Sequence, residues 1–279
     1  MGADGLLIMH GGGPTAVINA SLYGAVTEAL ESPRVGRVLG AVGGVGGITD
    51  GNLLDFSGVS ASRLEMLPSS PSSAIGSSRK PLEDDDYARI AHALRGQGIR
   101  WLLCTGGNGT QDTCGKIWRA CQAEGVGVDV VGIPKTMDND IAVTDHAPGF
   151  ASAARFVAAS VGALCCDVHG LPAHISVIET LGRNAGWVAA ASLLADECGA
   201  CGPDLIYLPE RDFDEQSFLD DAARLVDEKR SGVIVVSEGL HKAGGEPVAE
   251  PLLRTGRATY FGDVSAHLAR LIISELGCR

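Results

Sequence analysis

The densest chemistry in this chain lies in seven residues, Pro134-Lys135-Thr136-Met137-Asp138-Asn139-Asp140. A lysine, two carboxylates and an asparagine fall together just past an apolar run, Val128–Ile133. Phosphoryl transfer needs a base for the attacking hydroxyl, positive charge for the phosphoryl oxygens and usually a divalent metal. Asp138 can be the base, Lys135 the charge, and Asp140 a substrate or metal contact. Taken alone, an ordinary acidic turn capping the next segment explains the stretch equally well. Its place after a strand, with a glycine loop after another strand, favours the catalytic reading.

Three glycine loops follow strands: Gly11–Thr15, Gly43–Gly47 and Gly106–Thr110. A glycine turn that opens a helix exposes backbone N–H groups at the positive end of the helix dipole, which suits phosphate. None of the loops ends in the Gly-Lys-Ser/Thr of the Walker pattern. Gly11-Gly-Gly13-Pro-Thr-Ala16 fits only the loose, alanine-ended dinucleotide fingerprint. Arg183, within Glu179-Thr-Leu-Gly-Arg-Asn-Ala-Gly-Trp187, sits at another glycine turn and could grip a phosphate or stand as a solvated surface charge.

These loops need strands to end beside them, and the apolar pattern supplies strands. Gly5–Met9, Arg37–Val42, Arg100–Thr105, Val128–Ile133, His174–Ile178, Asp204–Leu208 and Ser231–Ser237 read as strands. Helices are expected over Ala16–Ser32, Asp84–Leu94, from Gly109 or Thr110 onward, and over Phe150–Val168, Ala185–Glu197, Gln216–Lys229 and Asp263–Leu276. Gly43–Gly51 and Leu67–Ser78 read as loops, and Val128–Ile133 as a largely buried parallel strand. The alternation makes an α/β chain of parallel sheets covered by helices, with ligands at the carboxyl ends of strands. A break near residue 150 gives two lobes, 1–150 and 151–279.

Bulk properties exclude other classes. With 45% hydrophobic and 20% charged residues over 279 positions, the chain is globular. A net charge of −12 and no basic stripe argue against nucleic-acid binding. It also means that an anionic substrate must be held by a few local donors. No run of about 18 uncharged apolar residues is present, so no membrane partner is expected. No signal peptide is evident, which leads to a cytoplasmic expectation and to eight reduced cysteines. Cys198-Gly-Ala-Cys201 lacks the second pair that a zinc site needs, and Cys165-Cys166 reads as packing.

Beyond single motifs, the order of segments resembles the phosphofructokinase family. The resemblance rests on Gly11–Asn19, Gly76-Ser-Ser-Arg79, Gly106–Thr110, Pro134–Asp140, Thr144-Asp145 with Pro148-Gly-Phe150, Glu179–Trp187 and Ser237-Glu-Gly239, which span nearly the whole chain. It implies two three-layer lobes, the first for the phosphoryl donor and the second for the sugar phosphate. It implies ATP or pyrophosphate as donor, fructose 6-phosphate as acceptor, Mg2+ as cofactor, and a homodimer or homotetramer. Asp138 then matches the base that takes the proton from the sugar 1-hydroxyl, with Lys135, Thr136 and Asp140 as companions. Gly12, Arg79, Gly107, Asn108, Gly109 and Thr110 match donor contacts. Leu181, Gly182, Arg183 and Glu238 match the sugar-phosphate pocket. Arg257 matches a phosphate-binding arginine supplied across a subunit interface, and His174 occupies the place of another.

The departures from the family pattern shape the expectations. Asn108 stands where the family usually has a magnesium-holding aspartate, so metal affinity should fall. Leu181 replaces a usual methionine. Gly109 matches ATP users and Lys135 matches pyrophosphate users, and the balance leans narrowly to ATP. The sequence stops at Gly277-Cys278-Arg279, where the family continues, so the second lobe is expected to be incomplete. Two other readings remain: a non-catalytic sugar-phosphate binder of the same fold, and a kinase for another sugar phosphate.

Overall fold

The computed structural model describes residues 4–171, 174–197, 201–254, 259–260 and 262–278. The chain divides into two compact units. Unit 1 holds residues 1–136 and 141–149, and unit 2 holds 137–140 and 150–279. The division departs from a simple break at 150 because the segment 137–140 groups with unit 2.

Unit 1 is built on five strands: β1 (Gly5–His10), β2 (Arg37–Ala41), β3 (Leu53–Asp55), β4 (Ile99–Gly106) and β5 (Asp129–Pro134). Their order across the sheet is β3-β2-β1-β4-β5, parallel except for β3 against β2. Its helices are α1 (Ile18–Glu31), α2 (Val45–Asp50), α3 (Ala61–Leu64), α4 (Asp84–Gly96) and α5 (Asn108–Ala123). Alternate residues of a strand face opposite sides, which fills two cores from one sheet. Leu7, Met9 and Leu39 pack under α2, α4 and α5, while Leu6, Ile8 and Val38 pack under α1 and the segment carrying Phe56, Leu64 and Ile75. The chain leaves β1 toward β2 on one side and returns to β4 on the other. That reversal opens a crevice at the carboxyl ends of β1 and β4, where ligands bind in such sheets.

Unit 2 contains α6 (Phe150–His169), β6 (His174–Thr180), α7 (Trp187–Ala190), α8 (Leu194–Glu197), β7 (Leu205–Tyr207), α9 (Glu215–Lys229), β8 (Ser231–Ser237), a short hairpin of β9 (Leu253–Arg254) and β10 (Thr259–Tyr260), and α10 (Val264–Leu276). The main sheet runs β6-β8-β7, all parallel. Strand β8 is central, and all seven of its residues are buried. Ile234 and Val236 face α9 and α10, and Val233 and Val235 face α6. Both units are therefore three-layer α/β sandwiches.

Four expectations need correction. The Gly43–Gly51 stretch is not all loop, because α2 forms within it and buries Val45 and Ile48 three residues apart in the first core. The helix expected over Ala185–Glu197 is broken by a 3-10 turn at Ala191–Leu193, where the buried Ser192 hydroxyl donates to the Ala189 carbonyl (2.6 Å) and tightens the chain. Strand β5 is an edge strand, with Val131 50% exposed, not a buried one. Cys165 packs inside, but Cys166 is exposed, and Cys198 lies outside the described residues. Helix α6 is also long and apolar enough, by length and composition, to cross a membrane. One face of it carries Ala158, Val161 and Cys165 into the second unit's core, as the core helix of a sandwich layer would.

The second core is centred on Phe218, which is fully buried and meets Tyr207 edge-on (5.4 Å between centroids) and Phe213 (5.6 Å). Phe218→Ala is expected to destabilise unit 2 by about 3–5 kcal/mol. Urea unfolding followed by a probe within that unit would measure it, and a loss below about 1 kcal/mol would contradict this account of the core.

Candidate functional site

In unit 1 the turns after β1 and β4 lie side by side. Gly11 N–H donates to the Thr105 carbonyl (2.9 Å), and the Thr110 hydroxyl fills the space that a methyl on Gly11 or Gly106 would need. Only glycine fits at both places. Thr110 is itself buried. Its structural part is to hold the two turns together, which the reading of it as a donor contact did not include. The Gly12 N–H donates to the Ser78 carbonyl (2.9 Å), and the Gly12 carbonyl accepts from the Ser77 hydroxyl (2.5 Å). These bonds bring Arg79 over the turn, with a guanidinium nitrogen 2.8 Å from where a Cβ on Gly13 would sit.

Lys135 enters from the end of β5. Its backbone N–H donates to the Gly106 carbonyl (3.0 Å), and its buried ammonium donates to the Gly13 carbonyl. Thr136, also buried, donates its N–H to the Pro148 carbonyl (3.0 Å). Helix α5 opens beside them with Gly107 as its N-cap and no side-chain cap hydrogen bond, and the Thr110 and Gln111 N–H groups donate to the Gly107 carbonyl (2.9 and 3.0 Å). Asn108 and Gly109 are exposed on that first turn, and a side chain on Gly109 would meet open space. Gly12, Arg79, Gly107, Asn108, Gly109 and Lys135 thus share one edge of unit 1. Among the described residues no group of three or more His, Cys, Asp or Glu side chains could hold a metal ion.

Unit 2 gathers a different set. After β6 and β8 end in register at Thr180 and Ser237, the Ser237 hydroxyl donates to the Gly182 carbonyl, and Gly182 N–H donates to the Glu238 carboxylate (3.3 Å). Gly182 has φ +136°, and a side chain there would overlap the Ala185 carbonyl. Burial is the main cause that pushes the Glu238 carboxyl above its ordinary range. The Gly182 N–H opposes the shift, the Asp138 charge adds to it, Arg183 opposes it and Glu179 adds again. Asp138, Arg183, Gly182 and Glu238 are therefore electrostatic neighbours. Leu181 and Arg183 are exposed on the same turn. Asp140 belongs to the same short segment as Asp138.

Over residues 5–276 the chain matches the family model described as Phosphofructokinase. The chain belongs to the phosphofructokinase family. It is 39% identical over 274 residues to the pyrophosphate–fructose 6-phosphate 1-phosphotransferase of Rhodospirillum rubrum, covering 96% of this chain and 67% of that protein. It is 39% identical over 286 residues to the enzyme of the same name from Xanthomonas campestris, covering 98% of this chain and 67% of that one. The crystal structure of the pyrophosphate-dependent phosphofructokinase from Nitrosospira multiformis superposes with a TM-score of 0.85 at 30% identity, covering 100% of this chain and 68% of that chain. The chain thus spans about two thirds of the length of these relatives.

Two expected site residues are not brought to these clusters. His174 opens β6, at the opposite end of the strand from Leu181–Arg183 and about 20 Å away by strand rise. Arg257 lies outside the described residues. Glu179, two residues before Leu181, caps α10 by accepting from the Ser265 N–H (2.9 Å) and hydroxyl (3.1 Å). Sequence reading missed His10, which is fully buried at the end of β1. Burial first, and then the Lys135 charge, hold its pKa down to about 4. A lone histidine beside a glycine loop gives no spacing signal.

The raised Glu238 carboxyl yields a signed expectation. A folded pKa above the unfolded one means that stability is full at low pH and lost as pH rises through the folded pKa. Glu238→Gln removes that loss, so the variant should melt higher than the parent at neutral pH, with the gap closing in acid. Thermal melts at several pH values would show this, and a variant less stable at pH 7 than the parent would refute the assignment.

Proposed function

We propose that this chain transfers a phosphoryl group from pyrophosphate to the 1-hydroxyl of fructose 6-phosphate, giving fructose 1,6-bisphosphate and phosphate. The observation that carries the choice of donor is the buried Lys135 ammonium on the Gly13 carbonyl, beside Arg79, in a chain whose relatives are named for pyrophosphate. The lean to ATP rested on Gly109. The open space there permits a nucleotide without selecting one. Lysine and arginine together bind the compact charge of a diphosphate and need no base pocket.

In this reading Lys135, Arg79 and the first amides of α5 meet the donor's phosphoryl oxygens, and Gly12 and Gly107 let the backbone approach. Asp138 takes the proton from the sugar hydroxyl, with Asp140 and Thr136 beside it in the chain. Glu238 accepts from a sugar hydroxyl, Arg183 meets the acceptor phosphate, and Leu181 and Gly182 shape the turn. His174 serves a second copy of the chain in a homodimer or homotetramer, because it lies far from its own acceptor turn.

The divalent ion of this family is read as Mg2+. Bound, it would neutralise charge on the donor phosphates. The donor set fits an ion carried mainly by phosphate oxygens, with Asn108 adding a neutral oxygen, because no acidic cage is present among the described residues. Magnesium alone should therefore leave the melting temperature unchanged, whereas magnesium with pyrophosphate should raise it. A shift from the metal alone would show a protein-built metal site.

A coupled assay with pyrophosphate and ATP in parallel tests the activity. Turnover should be faster with pyrophosphate, and Asp138→Asn should lower kcat by roughly 10²–10⁴-fold while pyrophosphate binding persists. A faster rate with ATP would overturn the donor, and an unaltered Asp138→Asn rate would overturn the base. Asn108 favours a second reading, a sugar-phosphate binder without turnover. Calorimetric binding of fructose 6-phosphate with no rate from either donor would select that one.

A further inference from the structure

We propose that His10 is a positioning residue for the phosphoryl donor, acting through Ser73 on the loop that carries Arg79. The inference rests on the reading of unit 1 as the donor site. His10 Nδ1 lies 2.7 Å from the Ser73 hydroxyl, and that hydroxyl lies 2.8 Å from the Gly76 carbonyl. Ser73 has one proton, and a carbonyl can only accept, so the proton goes to Gly76. The Ser73 oxygen must then accept, and His10 must donate from Nδ1. This fixes the neutral tautomer with the proton on Nδ1 and leaves Nε2 a bare acceptor. Nε2 is buried and has no partner among the described residues.

The loop from Ser70 to Arg79 is half serine, and its one deeply buried apolar side chain is Ile75, which packs in the core with Leu6, Ile8 and Phe56. Beside that apolar contact, two buried polar side chains hold its backbone, one on α1 and one at the end of β1. Asn19 on α1 donates to the Ser70 carbonyl (3.0 Å) and accepts from the Ala74 N–H (2.8 Å), which secures the early part. His10 secures Ser73 and, through it, the turn at Gly76. Directly after that turn come Ser77 and Ser78, which bond the two polar groups of Gly12, and then Arg79 over Gly13. His10 precedes Gly11 in the chain, so one rigid strand end carries both the glycine turn and the tether of its covering loop. A small cavity of about 40 Å³ beside the imidazole is lined by Ser78, Lys80, Thr110 and Thr113.

Asparagine and glutamine separate this tether from mere space-filling. The Asn side-chain amide reaches the place of Nδ1, whereas the Gln amide reaches that of Nε2. His10→Ala should raise KM for pyrophosphate by about tenfold, the loss of one buried hydrogen bond, and leave KM for fructose 6-phosphate within about twofold. His10→Asn should restore most of the loss and His10→Gln should not. Ser73→Ala should match His10→Ala, and the double variant should be no worse than either single one. Equal failure of Asn and Gln, equal effects on both KM values, or additive losses in the double variant would each overturn the proposal. Should the parent chain show no turnover, the proposed function fails by itself. The same variants are then compared by calorimetric affinity for pyrophosphate, where an unchanged affinity in both His10→Ala and Ser73→Ala overturns the tether.

Discussion

The glycine-turn edge of unit 1 depends on two parallel strands ending side by side with only the Thr110 side chain between their turns. β1 and β4 are neighbours because the chain reverses its direction of travel across the sheet between them. Gly11 and Gly106 leave the gap, and the Thr110 hydroxyl occupies it. Any larger residue at either glycine would push α5 away from β1, and with it the first turn that carries Asn108 and Gly109. Lys135 is fixed to the same frame by its own N–H on the Gly106 carbonyl. Backbone geometry, not side-chain reach, therefore sets where positive charge stands. A buried ammonium tolerates little error in position, since its desolvation must be offset by oxygen at close range. The Gly13 carbonyl is such an oxygen.

Unit 2 solves the opposite problem, which is to keep a carboxylate available in a partly buried place. Ser237 locks the turn by donating to Gly182 and accepting from the Gly239 N–H (3.3 Å). Gly239 has no room for a side chain beside the Arg183 carbonyl. The locked turn presents one N–H to Glu238, which is not enough to undo the effect of burial and of Asp138. This turn is thus less stable at neutral pH than a neutral side chain would make it. Functional sites often hold such unfavourable charge in reserve, where a ligand's hydroxyl or phosphate can relieve it.

Much of this was legible in the sequence, for definite reasons. Strands buried on both faces read as apolar runs, so β1 and β8 were plain. The Pro134–Asp140 stretch stood out because its polar residues crowd directly after one such run. What the sequence hid were effects of tertiary packing. Helix α2 forms among glycines because Val45 and Ile48 are pulled into a core that local propensity does not see. The break at Ser192 comes from a hydroxyl bonding its own helix, which a periodic pattern cannot register. Strand β5 is no less apolar than its neighbours, but only its place in the sheet makes it an edge. The two parts of Thr110, as first-turn residue and as spacer, share one position, and only the spacing of β1 from β4 separates them. His10 was silent because its partner, Ser73, is 63 residues away.

On the proposed reading, a chain of net charge −12 must bind a diphosphate, which needs a local reversal of sign. Long-range steering works against it, because the overall field repels anions. At contact distance the balance changes, since Lys135 is buried and screened less by solvent than the surface carboxylates are. The amides of α5 add partial positive charge without adding to the net count. This arrangement penalises bare polyanions at a distance and favours the one that arrives with part of its charge neutralised. On the proposed reading, that is the magnesium complex of pyrophosphate. A neutral Asn108 suits such a ligand, because an ion already held by phosphate oxygens needs orientation from the protein more than it needs a further negative charge.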